Sequence, residues 1–220
     1  MIYHRGFLLS LAVSDNYIGG IFMANKKLDI RKLTITGMLA ALSTVLMFLS
    51  FSVPFMPSYI KFDFSELPAL IAAFSLGPVS GILVCLVKNL VNLLFTSTGG
   101  VGELCNFLIG ALFVLPAGLI YNKSKTKKSA VLGAIVGAVI MAVASLFVNY
   151  YIIYPIYQKF MPMEAIIGSY KALLPSVDNL WEALTIFNMP FTFLKGMMSV
   201  IITVLIYKKI SPIIKGKGKK

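Results

Sequence analysis

Charged and metal-binding side chains are scarce in this chain of 220 residues, which carries 8 aspartates and glutamates and a single histidine, His4. Because a Ser-His-Asp triad and most zinc sites need histidine, this scarcity argues against both in the rest of the chain. The sequence also lacks a Walker A motif, so we expect no ATP hydrolysis by the chain itself. The two cysteines, Cys85 and Cys105, lie in apolar runs without metal-ligand spacing, and we interpret them as small hydrophobic residues.

Apolar side chains, by contrast, dominate the composition. Hydrophobic residues make up 58% of the chain and charged residues only 13%, and the mean hydropathy is +0.88. A water-soluble domain of this size has no need of so much apolar surface, so lipid must be the solvent for most of the chain. The composition therefore predicts a multi-pass protein of the lipid bilayer, and we expect it in the bacterial cytoplasmic membrane.

The basic residues are concentrated at the edges of the apolar runs. The net charge is +12, and 14 of the 20 lysines and arginines fall in three clusters. The clusters are Lys26, Lys27, Arg31 and Lys32; Lys123, Lys125, Lys127 and Lys128; and Lys208, Lys209, Lys215, Lys217, Lys219 and Lys220. This distribution is typical of a membrane protein that obeys the positive-inside rule. Nucleic-acid binding would need a folded basic face with base-reading side chains, and since we find none we exclude a nucleic-acid partner.

Six apolar runs predict membrane helices. They cover approximately residues 33–51, 67–76, 79–95, 104–121, 130–154 and 183–207. Gly77-Pro78 separates the second run from the third because this pair cannot continue a helix, and Pro155 ends the fifth run. An even number of spans places both termini and all three basic clusters on one side, the cytoplasmic side. We therefore predict an all-α membrane protein with six transmembrane helices, N-in and C-in.

The chain is predicted to consist of three segments. We expect residues 1–25 to be a disordered or mis-annotated extension, with Met23 as a second candidate for the start of the protein. Residues 26–212 are predicted to form the six-helix transmembrane domain. Residues 213–220 are predicted to be a basic cytoplasmic tail.

Polar residues within the predicted spans point to a solute site. Lys195 lies inside the last span, where a cation is disfavoured by roughly 2.5–3.5 kcal/mol unless it faces a protein interior or a wet cavity. Asn188, Thr192 and Lys195 share one helical face beside a predicted helix break at Pro190, and Asn149 lies in the outer half of the fifth span. Asparagine offers donors and acceptors, which suits a planar, hydrogen-bonding solute better than an ion. We favour a ligand site at Asn149 and Lys195; the alternative is that these residues only tie helices together.

The third span carries a second polar face, formed by Lys88 and Asn92. Whether Lys88 serves the site or pairs helices is left open, with Glu103 or a backbone carbonyl as its expected partner. Aromatic residues near the outer ends of the spans, Phe62 and Phe191 among them, fit either an interfacial belt or stacking partners for a flat ligand.

Small residues four positions apart allow helix backbones to approach each other closely. We expect Gly133 and Gly137 to pack inside the bundle. For Gly37 and Ala41, internal packing and docking to another membrane subunit both remain open.

Several segments of the chain resemble one family of membrane proteins. The segments are 57–68 (PSYIKFDFSELP), 77–78 (GP), 87–89 (VKN), 147–151 (FVNYY), 161–165 (MPMEA) and 190–196 (PFTFLKG). In this order they resemble the substrate-binding S components of energy-coupling factor (ECF) transporters, and the riboflavin-specific RibU family in particular. The resemblance covers about residues 30–210. It implies an S-component-like bundle with a vitamin pocket near the outer face, closed by the first outer loop.

The resemblance also implies the ligand and the residues that bind it. Riboflavin, with FMN as a further candidate, would be the transported ligand rather than a cofactor, and Asn149 and Lys195 would bind its isoalloxazine ring. The family pattern has asparagine three residues before that lysine, where this chain has Thr192. The expected binding residues are Asn149, Lys195, Thr192, Asn188, Phe62, Asp63, Ile60, Lys61, Asn92 and Phe191.

The implied partners are a membrane-embedded T protein, which would meet Gly37 and Ala41, and two cytoplasmic ATPases. An S component for another vitamin, such as thiamine or biotin, is the first alternative. A membrane enzyme that acts on lipid-linked substrates through Glu66 or Glu103 is a second one, although these carboxylates show no paired spacing. A purely structural scaffold leaves Lys195 unexplained. Replacing Lys195 with methionine is expected to weaken binding and to leave folding intact.

Overall fold

The computed structural model describes the backbone of residues 30–215 and the side chains of residues 30–206. The predicted extension 1–25 and the last five residues of the predicted tail lie outside the described residues. The helices are α1 (Ile30–Phe48), α2 (Glu66–Leu76), α3 (Pro78–Asn92), α4 (Val101–Ser124), α5 (Lys127–Val148), α6 (Tyr154–Tyr157), α7 (Met163–Lys171), α8 (Leu180–Ala183) and α9 (Met189–Lys215). A short 3-10 turn, Leu93–Phe95, follows α3. Two short strands, β1 (Phe51–Ser52) and β2 (Lys61–Phe62), pair antiparallel, with Phe51 opposite Phe62.

A helix occupies each of the six predicted apolar runs. Among the described residues, five helical segments are long and apolar enough to cross a membrane: Ile30–Phe48, Pro78–Phe95, Val101–Ser124, Lys127–Tyr157 and Leu180–Ile206. The helix in the remaining predicted run, α2, has 11 residues. It is therefore about 16 Å long, roughly half the thickness of a bilayer core.

The break at Gly77-Pro78 is confirmed. Gly77 has φ +106°, a backbone conformation that favours glycine, and Pro78 opens α3. The two helices then pack closely, since a Cβ at Gly81 would lie 2.8 Å from the Cβ of Ala73. The short α2 and the longer α3 thus form one tight hairpin.

Close packing of α4 against α5 depends on glycine. A Cβ at Gly137 would lie 2.5 Å from the carbonyl oxygen of Phe113, and one at Gly133 would lie 2.8 Å from that of Ala117. The prediction that Gly133 and Gly137 pack inside the bundle is confirmed. Gly37 differs, because nothing lies within 4 Å of its Cβ position, and both Gly37 and Ala41 are exposed on α1.

Two π-helical turns replace the predicted helix ends at Pro155 and Pro190. The turns are Asn149–Ile153, between α5 and α6, and Leu184–Asn188, between α8 and α9. Each turn ends two residues before its proline. A proline removes one backbone donor and clashes with the preceding turn, and a wider turn can relieve that clash without ending the helix. The expectation of a break was therefore wrong, and the backbone stays helical through both prolines.

Candidate functional site

A cavity of about 320 Å³ lies at one end of the bundle, where α1 and α3 end and where α4 and α9 begin. Its walls come from the C-terminal end of α1, the segment before α2, the N-terminal half of α4, the first π turn and the N-terminal part of α9. The described lysines of the second and third basic clusters lie at the other ends of these helices: Lys123, Lys125, Lys127 and Lys128 where α4 passes into α5, and Lys208, Lys209 and Lys215 in the last part of α9. The cavity and these lysines therefore lie at opposite ends of the bundle.

Nine of the ten residues predicted from the sequence line this cavity: Ile60, Lys61, Asp63, Asn92, Asn149, Asn188, Phe191, Thr192 and Lys195. Phe62 does not. Since side chains alternate along a strand, Lys61 faces the cavity and Phe62 faces away from it. The ring of Phe62 packs edge-on against Phe191, with 6.0 Å between the centroids, and so supports the wall from behind.

Lys195 and Asp63 form an ion pair in the floor of the cavity. The Nζ of Lys195 lies 2.9 Å from Oδ2 of Asp63, and both side chains are buried. Burial opposes ionisation of Asp63, but the charges of Lys195 and Lys88 and the hydroxyl of Ser65 outweigh it and lower the pKa of Asp63 to about 2. The carboxylate is therefore charged at neutral pH, and Lys195 reaches the cavity as a paired cation.

Lys88 and Glu66 form a second, fully buried ion pair. Their Nζ and Oε1 atoms are 2.8 Å apart, and the two side chains are 0% and 1% exposed. The expected pairing of Lys88 with Glu103 was therefore wrong. The carboxylate that reaches Lys88 comes instead from the first residue of α2, across the α2–α3 hairpin. Lys88 serves helix pairing and does not line the cavity.

Ser65 connects the two ion pairs. Its hydroxyl accepts a hydrogen bond from Nζ of Lys88 at 2.6 Å and donates one to Oδ1 of Asp63 at 2.5 Å. Its carbonyl oxygen accepts a hydrogen bond from the hydroxyl of Ser43 on α1 at 2.5 Å. Buried charges are costly unless they are paired and hydrogen-bonded, and the hydroxyl of Ser65 adds such a bond to each of the two pairs. The network fixes the segment before α2 to helices α1, α3 and α9.

Glu103 brings a further carboxylate to the cavity wall. Its oxygens accept hydrogen bonds from Asn92 at 2.9 Å, from Thr96 at 2.9 Å and from Thr98 at 3.2 Å. Within residues 30–206, Glu103 forms no ion pair. Donors on this wall therefore point at the carboxylate, and it can accept further hydrogen bonds from hydroxyl groups in the cavity.

Two of the three predicted asparagines, Asn149 and Asn188, each belong to a π turn. Asn149 is the first residue of one turn and Asn188 is the last residue of the other. Nδ2 of Asn149 donates to the carbonyl of Ser145 at 2.7 Å, and Oδ1 of Asn188 accepts from the hydroxyl of Tyr170 at 2.7 Å. Both amides are therefore fixed by groups outside the cavity. Turns of this kind are frequent at functional sites.

Sequence reasoning missed several lining residues. Cys105, Asn106, Ile109, Met141 and Tyr157 all contribute to the wall or floor. Cys105 also donates to Oδ1 of Asn149 at 3.4 Å. These positions look like ordinary bundle core in the sequence. For Asn106 alone there was a signal, an amide at the start of an apolar run.

Comparison with known proteins places the chain in a family. The family model "ECF transporter, substrate-specific component" matches residues 31–207. The chain therefore belongs to the family of substrate-specific components (S components) of ECF transporters, and it is a multi-pass membrane protein. This is a family of transporter subunits and not of enzymes, which settles the enzyme alternative.

Named relatives cover most of the chain. The chain is 36% identical over 185 residues to a protein of Staphylococcus aureus named riboflavin transporter RibU, covering 84% of this chain and 93% of the relative. It is 32% identical over 188 residues to riboflavin transporter FmnP of Bacillus subtilis, covering 84% and 94%. A solved structure described as the S component of a bacterial ECF transporter is 34% identical and superimposes with a TM-score of 0.66, covering 84% of this chain and 97% of that one.

Proposed function

We propose that the chain is the riboflavin-binding S component of an ECF importer and that riboflavin binds in the cavity between α4 and α9. The observation that carries the proposal is the composition of the cavity. Its buried amides and its Lys195–Asp63 pair lie beside the aromatic rings of Tyr154 and Phe191. The names of the relatives support riboflavin as the ligand.

The chemistry of riboflavin suits this lining. Its flat ring system carries carbonyl oxygens and an N–H group at one end and needs stacking surface along its faces. A cavity of about 320 Å³ is within the range of roughly 300–1,000 Å³ for small-molecule sites. The ribityl hydroxyls would find an acceptor in Glu103. Asn149, Asn188, Thr192 and Lys195 are proposed as ring contacts, and Ile60, Lys61, Asp63, Asn92 and Phe191 as the rest of the site.

We propose six membrane helices with both termini in the cytoplasm. Two of the six, α2 and α3, form one hairpin within the membrane. The distribution of basic residues supports this orientation, because the described lysines of the second and third clusters lie at the end of the bundle away from the cavity. The cavity would then open to the outside of the cytoplasmic membrane, as an importer requires.

A T protein and two cytoplasmic ATPases are the proposed partners. Membership of the family supports them, since a substrate-specific component without an ATP-binding motif needs an energy source. The exposed Gly37 and Ala41 on α1 are the proposed contact with the T protein, because small residues four apart allow close approach of a partner helix.

Titration of purified protein in detergent tests the ligand. We expect riboflavin fluorescence to be quenched on binding and thiamine and biotin not to compete. FMN is titrated in the same way, so that its affinity can be compared with that of riboflavin. Asn149→Ala should weaken binding, whereas Asn122→Ala, an exposed asparagine at the basic end of the bundle, is the matched control and should not. Well-folded protein that binds thiamine or biotin and ignores riboflavin would assign the S component to that vitamin instead.

A further inference from the structure

Tyr170 is buried behind the cavity and does not line it. It lies on α7, in the segment between the fifth and sixth spans, and its side chain is 0% exposed. Its hydroxyl donates to Oδ1 of Asn188 at 2.7 Å and lies 2.6 Å from the hydroxyl of Tyr154. Tyr170 therefore acts on the cavity only through residues that line it.

The direction of these hydrogen bonds follows from counting protons. Tyr170 has one hydroxyl proton, and the oxygen of Asn188 can only accept, so that proton is used between them. Tyr154 must then supply the proton of its own bond with Tyr170. Burial raises the pKa of Tyr170 well above its usual range, so the hydroxyl keeps this proton. Because Oδ1 of Asn188 is directed at Tyr170, Nδ2 with its two N–H donors is the end of the amide turned away from Tyr170.

Asn149 is held in the opposite sense. Its Nδ2 is used by the carbonyl of Ser145, and its Oδ1 lies towards Cys105 on the cavity wall. The two amides are therefore held in opposite orientations, with Oδ1 of Asn149 and Nδ2 of Asn188 as the ends that are not directed at Ser145 and Tyr170. A ligand edge that places N–H next to C=O is complementary to that pair.

The structure assigns Tyr170 as a positioning residue that fixes the amide of Asn188 with its nitrogen towards the cavity, where it donates to a carbonyl oxygen of a flat, imide-bearing ring. This inference rests on the proposed function, which supplies such a ring in riboflavin. Without the hydroxyl, rotation of the amide by 180° would exchange oxygen for nitrogen at little energetic cost. The specificity of the cavity for an acceptor at this point thus depends on a residue outside it.

A double-mutant cycle with riboflavin as the probe tests the assignment. Tyr170→Phe should weaken riboflavin binding by roughly 3- to 10-fold, the worth of one hydrogen bond. In an Asn188→Ala background the same substitution should have no further effect, because the amide that it orients is gone. Tyr121→Phe removes the hydroxyl of another buried tyrosine, remote from the cavity, and should leave affinity unchanged in both backgrounds.

The results distinguish a Tyr170 that orients the amide of Asn188 from a Tyr170 that only stabilises the fold. An equal loss of affinity in both backgrounds, or no loss in either, would overturn the assignment. If Tyr170→Phe does not fold, Asn188→Asp replaces it, since a carboxylate still accepts from Tyr170 but has no N–H donor. A loss as large as that of Asn188→Ala supports the assignment, and retained affinity overturns it. Wild-type protein that ignores riboflavin contradicts the proposed function. If it binds biotin, whose ureido ring also places N–H next to C=O, the cycle is measured with biotin; if it binds thiamine, which has no carbonyl group, the assignment is overturned as well.

Discussion

Lys195 and Asp63 lie 132 positions apart in the chain and 2.9 Å apart in the fold, as a buried ion pair between α9 and the segment before α2. The cation that the sequence marks as a ligand contact therefore also holds the first loop in place. A ligand that bonds to Lys195 must share the ammonium group with Asp63. Three N–H donors on one nitrogen allow both contacts at once.

Lys195→Met should impair both affinity and folding. Loss of a hydrogen bond from a charged donor predicts riboflavin binding weaker by about ten- to a hundredfold. The expectation that folding survives is replaced, because the structure shows that the substitution strands Asp63; breaking a buried pair destabilises by about 3–5 kcal/mol. Fluorescence titration and thermal unfolding in detergent measure the two effects.

A second variant separates these roles of Lys195. Lys195→Met combined with Asp63→Asn removes both charges, so it should regain stability without regaining affinity. Lys171→Met is the control, because Lys171 pairs with Asp178 at the exposed surface at 3.2 Å and such pairs contribute little. Recovery of riboflavin affinity in the double mutant would show that Lys195 only pairs with Asp63 and does not contact the ligand.

Stability should fall in acid because of Asp63. Its pKa is about 2 in the folded protein and 3.8 in the absence of the fold. As pH falls, the unfolded chain therefore takes up the proton first, so this group's contribution is complete above about pH 4 and is lost towards pH 2. The contribution is roughly 2 kcal/mol, and thermal unfolding in detergent between pH 6 and pH 3 should show its onset.

The profile of Asp63→Asn should be flatter over this range than that of the wild type. Asp178→Asn, at an exposed carboxylate, is the matched control and should follow the wild-type profile. If Asp63→Asn loses stability in acid as steeply as the wild type, other carboxylates dominate the acid response.

Methylation of riboflavin at its ring N–H should expose the role of Asn149. Oδ1 is the acceptor atom of Asn149, and the bond from Nδ2 to the carbonyl of Ser145 holds the amide in the orientation that offers Oδ1 to this N–H. Wild-type protein should bind the methylated compound roughly 10-fold more weakly than riboflavin, and Asn149→Ala should bind the two compounds about equally. Equal binding by the wild type would show that Asn149 does not contact this group.

Gly37→Leu with Ala41→Leu should separate binding from transport. Both residues are exposed on α1, so riboflavin binding by the isolated protein should stay within twofold or so of the wild type. Assembly with the T protein and uptake in cells should be lost, because bulky side chains keep a partner helix at a distance. Co-purification and uptake assays measure these effects.

Two glycines serve as controls for that variant. Gly168→Leu places the same side chain in open space on α7 and should assemble normally. Gly137→Leu should fail to fold, because its Cβ alone would lie 2.5 Å from the carbonyl oxygen of Phe113. A Gly37/Ala41 variant that assembles but no longer binds riboflavin would place the docking surface elsewhere.

The helices could be predicted because lipid imposes a minimum length on apolar runs. Gly77-Pro78 marked its break through backbone chemistry alone. The same chemistry gave a wrong prediction at Pro155 and Pro190. A proline predicts that a helix is disturbed, but not whether the helix ends or widens into a π turn. Gly133 and Gly137 were placed correctly because their spacing has a packing consequence whichever helix they meet.

The site could be predicted only as far as single residues reveal their environment. Asn149 and Lys195 stand out as polar groups in apolar runs. The partner of Lys88 was not predictable, because both Glu66 and Glu103 lie close enough in sequence and only the tertiary fold selects one. Tyr170 carried no signal at all, since it lies in a mixed segment and acts through Asn188 from behind the wall.

The two π turns set the rotational register of the helices at Asn149–Ile153 and Leu184–Asn188. A turn closed between residues i and i+5 holds one residue more than an α turn. If either turn tightened to the α pitch with every residue kept, everything beyond it would rotate by about 100° relative to the preceding helix. Tyr154 would then leave Tyr170, and Lys195 would leave Asp63. Deletion of one residue from a turn restores the α pitch without this rotation, so homologous sequences that keep this site can align with a one-residue gap in either segment.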